Sequence, residues 1–321
     1  MPSDMTRRDF VVGSLAVGAA ATAASGEPAK APAVPAAPAA PAGAMPKGKI
    51  GEVEFSRLML GGNLLNGCSH SRDLRYVGQL AKRYNTDDKV AETLRIAEDH
   101  GIDSVNVAAW DNWVPLQRHR AAGGKMKWVV AANPDANGEM TQVQEVIRRG
   151  ADVVYIQGVV ADRLVQDGKV DLIAKEIQFI RSNGKLAGVG AHCLEVIVAC
   201  EKAKIDPDFY QKTLHAHNYP SAPKPGDPGS PQSQNEFGSF DNSWCHNPQE
   251  VIAYMKDLAK PWIAFKVMAA GAIPPKPAFE YAFKNGADFV LAGMFDWQVA
   301  ENARIAREVL ANLKRERPWR A

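Results

Sequence analysis

Short β-rich runs alternate with helical runs eight times after residue 56, and nothing else in the chain restricts its fold so strongly. The strand-like runs are RLMLGG (57–62), DSVNVA (103–108), KWVVAAN (127–133), DVVYIQG (152–158), KLAGVGA (185–191), YQKTLHA (210–216), WIAFKVM (262–268) and DFVLAGM (288–294). Helical periodicity is clearest in DDKVAETLRIAEDHG, KVDLIAKEIQFIRSNG and PQEVIAYMKDLAK, the first two closing on a capping Gly, and WQVAENARIAREVLANLKRE is the last helix. Eight β-α units in about 275 residues predict a (β/α)8 TIM barrel, an α/β fold. A doubly wound open sheet is the competing architecture, but no G-x-G-x-x-G follows the first strand.

The barrel occupies only part of the 321 residues. Thr6-Arg7-Arg8-Asp9-Phe10 precedes the weakly apolar run VVGSLAVGAAATAA, and the pair resembles a twin-arginine export signal with an A-x-A motif at Ala21-Thr22-Ala23. Residues 27–46 are almost all Ala and Pro, a composition that makes an extended tether. The expected organisation is a signal peptide over 1–26, a linker over 27–46 and the barrel over 47–321. It implies the twin-arginine export machinery as a partner and a periplasmic or secreted protein, membrane-anchored if the signal is retained. The apolar run is too short for a comfortable span, so no stable membrane span is expected after cleavage. A net charge of +2 argues against nucleic acid as a partner. Cys68, Cys193, Cys200 and Cys245 form no CxxC, and they read as small apolar residues.

In a barrel strand, alternate side chains face the helices and the barrel axis. If the apolar set faces the helices, Val105 and Val107 leave Asn106 inside, and Val154 and Ile156 leave Gln157 inside. Ala187, Val189 and Ala191 turn His192 inward, and Leu214 and Ala216 do the same for His215 and His217. Taking Ile263, Phe265 and Val267 as outward puts Lys266 inside. Asn63 and Asn133 fall at the ends of strands one and three. These eight polar residues are expected to converge at the C-terminal rim, where barrels of this kind hold small-molecule sites. Each buried polar group needs a partner, so a shared site explains them better than eight separate accidents.

FSRLMLGGNLLNG, KVAETLRIAEDHGIDSVNVAAW, DVVYIQGVVAD, IAKEIQFIRSNGKLAGVGAHC and GMFDWQVAEN together resemble the aldo/keto reductases over nearly all of 50–315. The resemblance implies a TIM barrel that binds NADP(H) and reduces carbonyl compounds. It places Glu301 and Asn302 where that family touches adenine. The family's Asp, Tyr, Lys and His fall at Asn106, Asp111, Asn133 and Gln157, so the catalytic tetrad is not retained. An amide cannot relay a proton as an acid-base group does. The basic residues that clasp a 2′-phosphate are also missing near Gly293–Gln298.

Three chemistries compete to replace the tetrad. His192 with His217, or His215, on adjacent strands could hold a divalent metal, completed by Asp111, His70, Asp241 or His246. Lys266 could form a Schiff base, or hold an anionic substrate. Gly271 and Gly293, after strands seven and eight, could cradle a cofactor's phosphates. Long loops follow strands one and six, the first with His70, Arg72 and Asp73. Trp110, Trp113 and Trp244 offer either a stacking floor for a sugar ring or packing anchors. The leading expectation is an oxidoreductase-related enzyme acting on a small polar, carbonyl or sugar-derived substrate. His192, His215, His217, Lys266 and Asp111 are the candidate catalytic groups. Asn63, Asn106, Asn133, Gln157, Trp110 and His70 are the candidate substrate contacts. A metal-dependent lyase or isomerase and a non-catalytic binding barrel are the alternatives.

Overall fold

The computed structural model describes residues 43–71, 74–222 and 245–321. The twin-arginine motif, almost all of the Ala/Pro segment, Arg72, Asp73, Asp241 and Trp244 lie outside them. The chain enters with a hairpin, β1 (Lys47–Ile50) and β2 (Val53–Ser56), paired antiparallel. Eight parallel strands then close a barrel among the described residues. They are β3 (Leu58–Gly61), β4 (Ser104–Ala108), β5 (Lys127–Ala132), β6 (Val153–Ile156), β7 (Leu186–Ala191), β8 (Phe209–Thr213), β9 (Trp262–Phe265) and β10 (Phe289–Gly293). β10 closes onto β3 with Val290 opposite Leu58 and Gly293 opposite Gly61.

The helices are α1 (Gly62–Leu65), α2 (Arg75–Tyr84), α3 (Asp87–Asp99), α4 (Val114–Ala121), α5 (Thr141–Arg148) and α6 (Gly158–Gln166). They continue with α7 (Val170–Ser182), α8 (Leu194–Lys202), α9 (Pro248–Asp257), α10 (Pro275–Lys284) and α11 (Asp296–Ala311). α3 starts where Thr86 Oγ1 accepts the Lys89 N–H, and its capping glycine, Gly101, takes φ +83°. None of the described helices is long and apolar enough to cross a membrane.

Two apolar layers follow from the strand alternation. Val105, Trp128, Val154, Val189, Tyr210 and Trp262 pack outward against the helices. Met59, Val129, Tyr155, Phe209, Ile263 and Phe289 fill the barrel. Each such side chain contributes about 1.5–3 kcal/mol on burial. Ile50 and Phe55 of the hairpin join the inner set, and Phe55 meets Phe289 edge-on at 6.2 Å. The hairpin therefore plugs the N-terminal end, and the polar residues collect at the other.

Strand β9 corrects the expected facing of its residues. Ile263 and Phe265 point into the barrel, while Trp262 and Ala264 face the helices. Of the three residues expected to face outward only Val267 does so, and it lies beyond the strand. Lys266 breaks the count by adopting φ +56°, and Ala269 and Ala270 are also left-handed. For residues bearing a Cβ this conformation costs about 1–2 kcal/mol each.

Candidate active site

His192 stands immediately after β7, at the turn into α8. Gly190 lets β7 approach the backbone of Ile156 and Gly158, and Gly158 leaves room for the His192 ring. A Cβ on Gly190 would sit 2.7 Å from the Ile156 carbonyl oxygen, and one on Gly158 would sit 3.0 Å from His192 Cε1. From α6, Asp162 reaches the same turn with its carboxylate fully buried. It accepts the backbone N–H of His192 (3.1 Å), the backbone N–H of Cys193 (3.0 Å) and a bond from the His192 ring at Nδ1 (2.8 Å). A carboxylate can only accept, so Nδ1 carries the ring proton. Burial lowers the pKa of His192; Asp162 opposes that, and Lys266 and Lys212 add to it. The neutral ring then holds its lone pair on Nε2, the arrangement of a general base oriented by a carboxylate. Asp162 was missed from sequence. Its only signal is a lone acid inside the apolar helical stretch VVADRLV.

Asn106 is buried inside the barrel. Tyr155 donates its hydroxyl proton to Asn106 Oδ1 (2.8 Å), and Asn106 Nδ2 donates to Gln211 Oε1 (2.9 Å). Three strands, β4, β6 and β8, are thus tied by side chains through the core. Burial raises the Tyr155 hydroxyl to about 12. Asp111 follows β4, and its Oδ2 accepts the Ala108 N–H at 2.7 Å. Burial lifts its carboxyl to about 6, against the pull of that backbone bond. A carboxyl poised there can donate or accept a proton near neutral pH. Tyr155 and Gln211 were also missed, because each reads as an ordinary strand residue.

The remaining candidates divide into local pairs. Asn133 Oδ1 accepts the Gln157 N–H (3.0 Å), which anchors the start of α6. Asn63 is exposed on α1, not turned into the barrel as expected, and its Nδ2 donates to His70 Nε2 (3.0 Å). Trp110 is an exposed rim side chain, whereas Trp113 is a packing anchor that donates Nε1–H to the Ala108 carbonyl (3.0 Å). Lys266 is half-buried, and its charge bears on both His192 and His215.

His215 and His217 hold the chain at Cys245. His215 Nε2 accepts the Cys245 N–H (3.1 Å), and His217 Nε2 donates to the Cys245 carbonyl (2.5 Å). Burial drives the His215 pKa down to about 3, so it stays neutral and its Nδ1–H faces the Ala216 carbonyl at 3.2 Å. His192 Nδ1 and His217 Nε2 serve as donors, so the nitrogens these rings would turn to a metal are His192 Nε2 and His217 Nδ1. Among the described residues no three His, Cys, Asp or Glu side chains are grouped to hold an ion. No disulfide joins the four cysteines.

The residues expected to receive NADP(H) do not fit a phosphorylated dinucleotide. Asp296 puts a carboxylate at the start of α11, where it accepts from Tyr84 Oη (2.8 Å) and Lys89 Nζ (3.2 Å). The Phe295 N–H is taken by Gln298 Oε1 (3.0 Å). The positive end of the helix is therefore already answered by an anion. At the other expected phosphate cradle, the N–H groups of Ala269, Gly271, Ala272 and Ile273 all donate to nearby backbone carbonyls. Gly293 packs toward Leu64, Glu301 is exposed, and Asn302 is buried at 3% on the inner face of α11.

No protein-family model and no curated protein sequence matches the chain. Among solved structures, a chain from Pseudomonas aeruginosa assigned to the aldo-keto reductases aligns at TM-score 0.54 and 16% identity, covering 82% of this chain and 96% of its own. An aldo/keto reductase from Klebsiella pneumoniae, solved with NADP and acetate, aligns at TM-score 0.51 and 13% identity, covering 83% of this chain and 96% of its own. At such identities the likeness concerns architecture: this chain has the barrel fold of the aldo-keto reductases.

Proposed function

We propose that the chain is an enzyme built on the aldo-keto reductase scaffold, acting on a small polar carbonyl or sugar-derived compound at the C-terminal mouth of the barrel. The observation that carries this reading is the Asp162–His192 pair, whose 2.8 Å bond leaves a neutral imidazole with its lone pair on Nε2. A base of this kind removes a proton from carbon next to a carbonyl, or from a hydroxyl. Lys266, whose charge reaches His192, supports the developing oxyanion. Asp111, with its carboxyl near 6, returns the proton. Tyr155, Asn106 and Gln211 form the rigid polar floor behind these groups.

Exchange of carbon-bound hydrogen in D2O tests the base directly. A panel of small ketoses, aldoses and α-keto acids is incubated with the protein and followed by proton NMR. Wild type is expected to label the position α to one carbonyl, and His192→Gln to lose at least about 100-fold of that rate. Equal exchange in both proteins, or none with any member, removes the proposal. Hydride transfer is the second reading. It is favoured by Asp111 standing five residues after Asn106, where the resemblance places the family's proton donor. Consumption of NADPH or NADH with the same panel distinguishes it.

Export by the twin-arginine route is part of the proposal and rests on Arg7-Arg8 and the apolar run after Phe10. Replacing both arginines with lysine is expected to retain the protein inside the cell, read by fractionation.

A further inference from the structure

The N-terminal end of the barrel, opposite the mouth, carries two hollows with cations on their walls, and the chemistry above uses neither. One, of about 500 Å³, lies beside the hairpin and the starts of β8 and β9, and includes Lys49, Lys260, Trp319 and Arg320. The other, of about 380 Å³, lies at the ends of α9 and α10, and includes Lys256, Lys284 and Lys314. Residues 314–321, which follow α11, contribute to both.

The acids nearby are answered from within the fold. Buried Asp288 takes Arg317 (2.6 Å) and Arg315 (3.4 Å), and Asp208 takes Arg181 (2.6 Å). Glu316 takes Lys256 (2.9 Å), and Asp206 pairs with Lys260. Lys49, Lys284, Lys314 and Arg320 are exposed, and none makes an ion pair among the described residues. The exposed acids Glu52 and Asp257 offset them only in part. A cation in the last turn of a helix complements the helix dipole, which accounts for Lys256 and Lys284. It does not account for Lys49 on β1, or for Lys314 and Arg320 beyond α11.

Trp319 stands beside these cations at 39% exposure, with the guanidinium groups of Arg57 (3.6 Å) and Arg315 (3.7 Å) against its ring. Tryptophan is enriched where proteins meet the headgroup level of a bilayer, and long cationic side chains beside it reach the charged surface. The path of the chain favours a lipid surface over an acidic protein. The Arg57 N–H donates to the Pro46 carbonyl (2.9 Å), so the preceding sequence, with its apolar run after Phe10, joins the barrel at this same end.

We propose that the N-terminal end of the barrel is a docking face for a bilayer containing anionic phospholipid. Trp319 enters the headgroup level, and Lys49, Lys284, Lys314 and Arg320 meet the lipid phosphates. The barrel itself binds peripherally, since none of its described helices can span a membrane. Its mouth then points away from the bilayer, toward dissolved substrate.

Full-length protein is sedimented with vesicles of phosphatidylcholine alone and of phosphatidylcholine mixed with phosphatidylglycerol. Binding is expected to the mixed vesicles only, and to fall steeply as salt rises. An apolar N-terminal segment acting alone binds both kinds equally, and that result overturns the proposal. Each cation at an anionic surface contributes about fivefold in affinity, so the triple variant Lys49→Gln, Lys314→Gln, Arg320→Gln is expected to bind about 100-fold more weakly. A second triple variant, Lys82→Gln, Arg83→Gln, Lys276→Gln, changes net charge equally at exposed positions of the mouth end and is expected to bind like wild type. Equal losses in the two variants show a response to net charge and overturn the assignment to this face. Absence of binding to the mixed vesicles, the outcome if an acidic protein occupies the face, overturns it as well. All six side chains are exposed and lie outside the Asp288 network, so both variants keep the fold. The assay involves no reactant and is independent of the exchange experiment.

Discussion

The Tyr155 hydroxyl lies 2.8 Å from Asn106 Oδ1, across the inside of the barrel between β6 and β4. Asn106 occupies the position at which the resemblance puts a catalytic aspartate, and here it serves as a two-sided bridge to Tyr155 and Gln211. Asn106→Leu leaves both partners buried without their bonds and is expected to cost about 2–4 kcal/mol in urea unfolding. Asn106→Asp can still accept from Tyr155, and Gln211 can turn its amide to donate, so a smaller loss is expected. Equal losses for both variants would show that the cost comes from volume alone.

Glu176 on α7 is fully buried, and neither carboxyl oxygen has a hydrogen-bond partner among the described residues. Burial raises its pKa well above the ordinary 4.5. The unfolded chain therefore releases this proton at lower pH than the folded one. Stability falls as pH rises above 4.5 and levels off only past the raised folded value. Glu176→Gln should abolish that slope with little effect at pH 4, and Glu176→Leu should gain about 1–3 kcal/mol at pH 7. Thermal melts between pH 4 and 9 check both; a wild-type protein that gains stability relative to Glu176→Gln on going alkaline contradicts the argument.

Asp111 behaves in the same sense over a window that can be named. Its folded value of about 6 exceeds the ordinary 3.8, so it costs stability progressively as pH climbs between these two. Asp111→Asn is expected to remove about 2 kcal/mol of the difference between pH 4 and pH 7, measured by urea midpoints. If Asp111 is the proton-returning acid, the exchange rate with a carbonyl substrate also carries an apparent pKa near 6 that the variant lacks.

NADPH fluorescence titrated against the protein should show no saturation up to about the millimolar range. The carboxylate of Asp296, held by Tyr84 and Lys89, stands at the helix start where a phosphate would need to sit. Tight binding to wild type would overturn the disagreement between this site and a phosphorylated cofactor.

His217 and His215 tie down Cys245 through its carbonyl and its N–H, respectively. His215→Ala should speed hydrogen exchange at the Cys245 amide at least about tenfold and leave the β8 core amides protected. A chelator should change neither the melting temperature nor the exchange pattern of the wild type.

The eight-strand barrel, its helices and the inward turn of Asn106 and His192 follow from residue order alone. Alternation of apolar side chains is a local property, and a closed parallel sheet is the architecture that satisfies it eight times. Counting failed at β9, where left-handed Lys266 interrupts the alternation; backbone conformation at a strand end depends on what the rest of the fold imposes. The roles of the polar residues depended on tertiary structure for a related reason. A buried donor or acceptor takes its function from the group it meets, and those partners come from distant segments: Asp162 for His192, Tyr155 and Gln211 for Asn106, Cys245 for His215 and His217. Spacing along the chain says which face a side chain takes, whereas only the folded barrel decides whether the group met there is a carboxylate, a carbonyl or an amide.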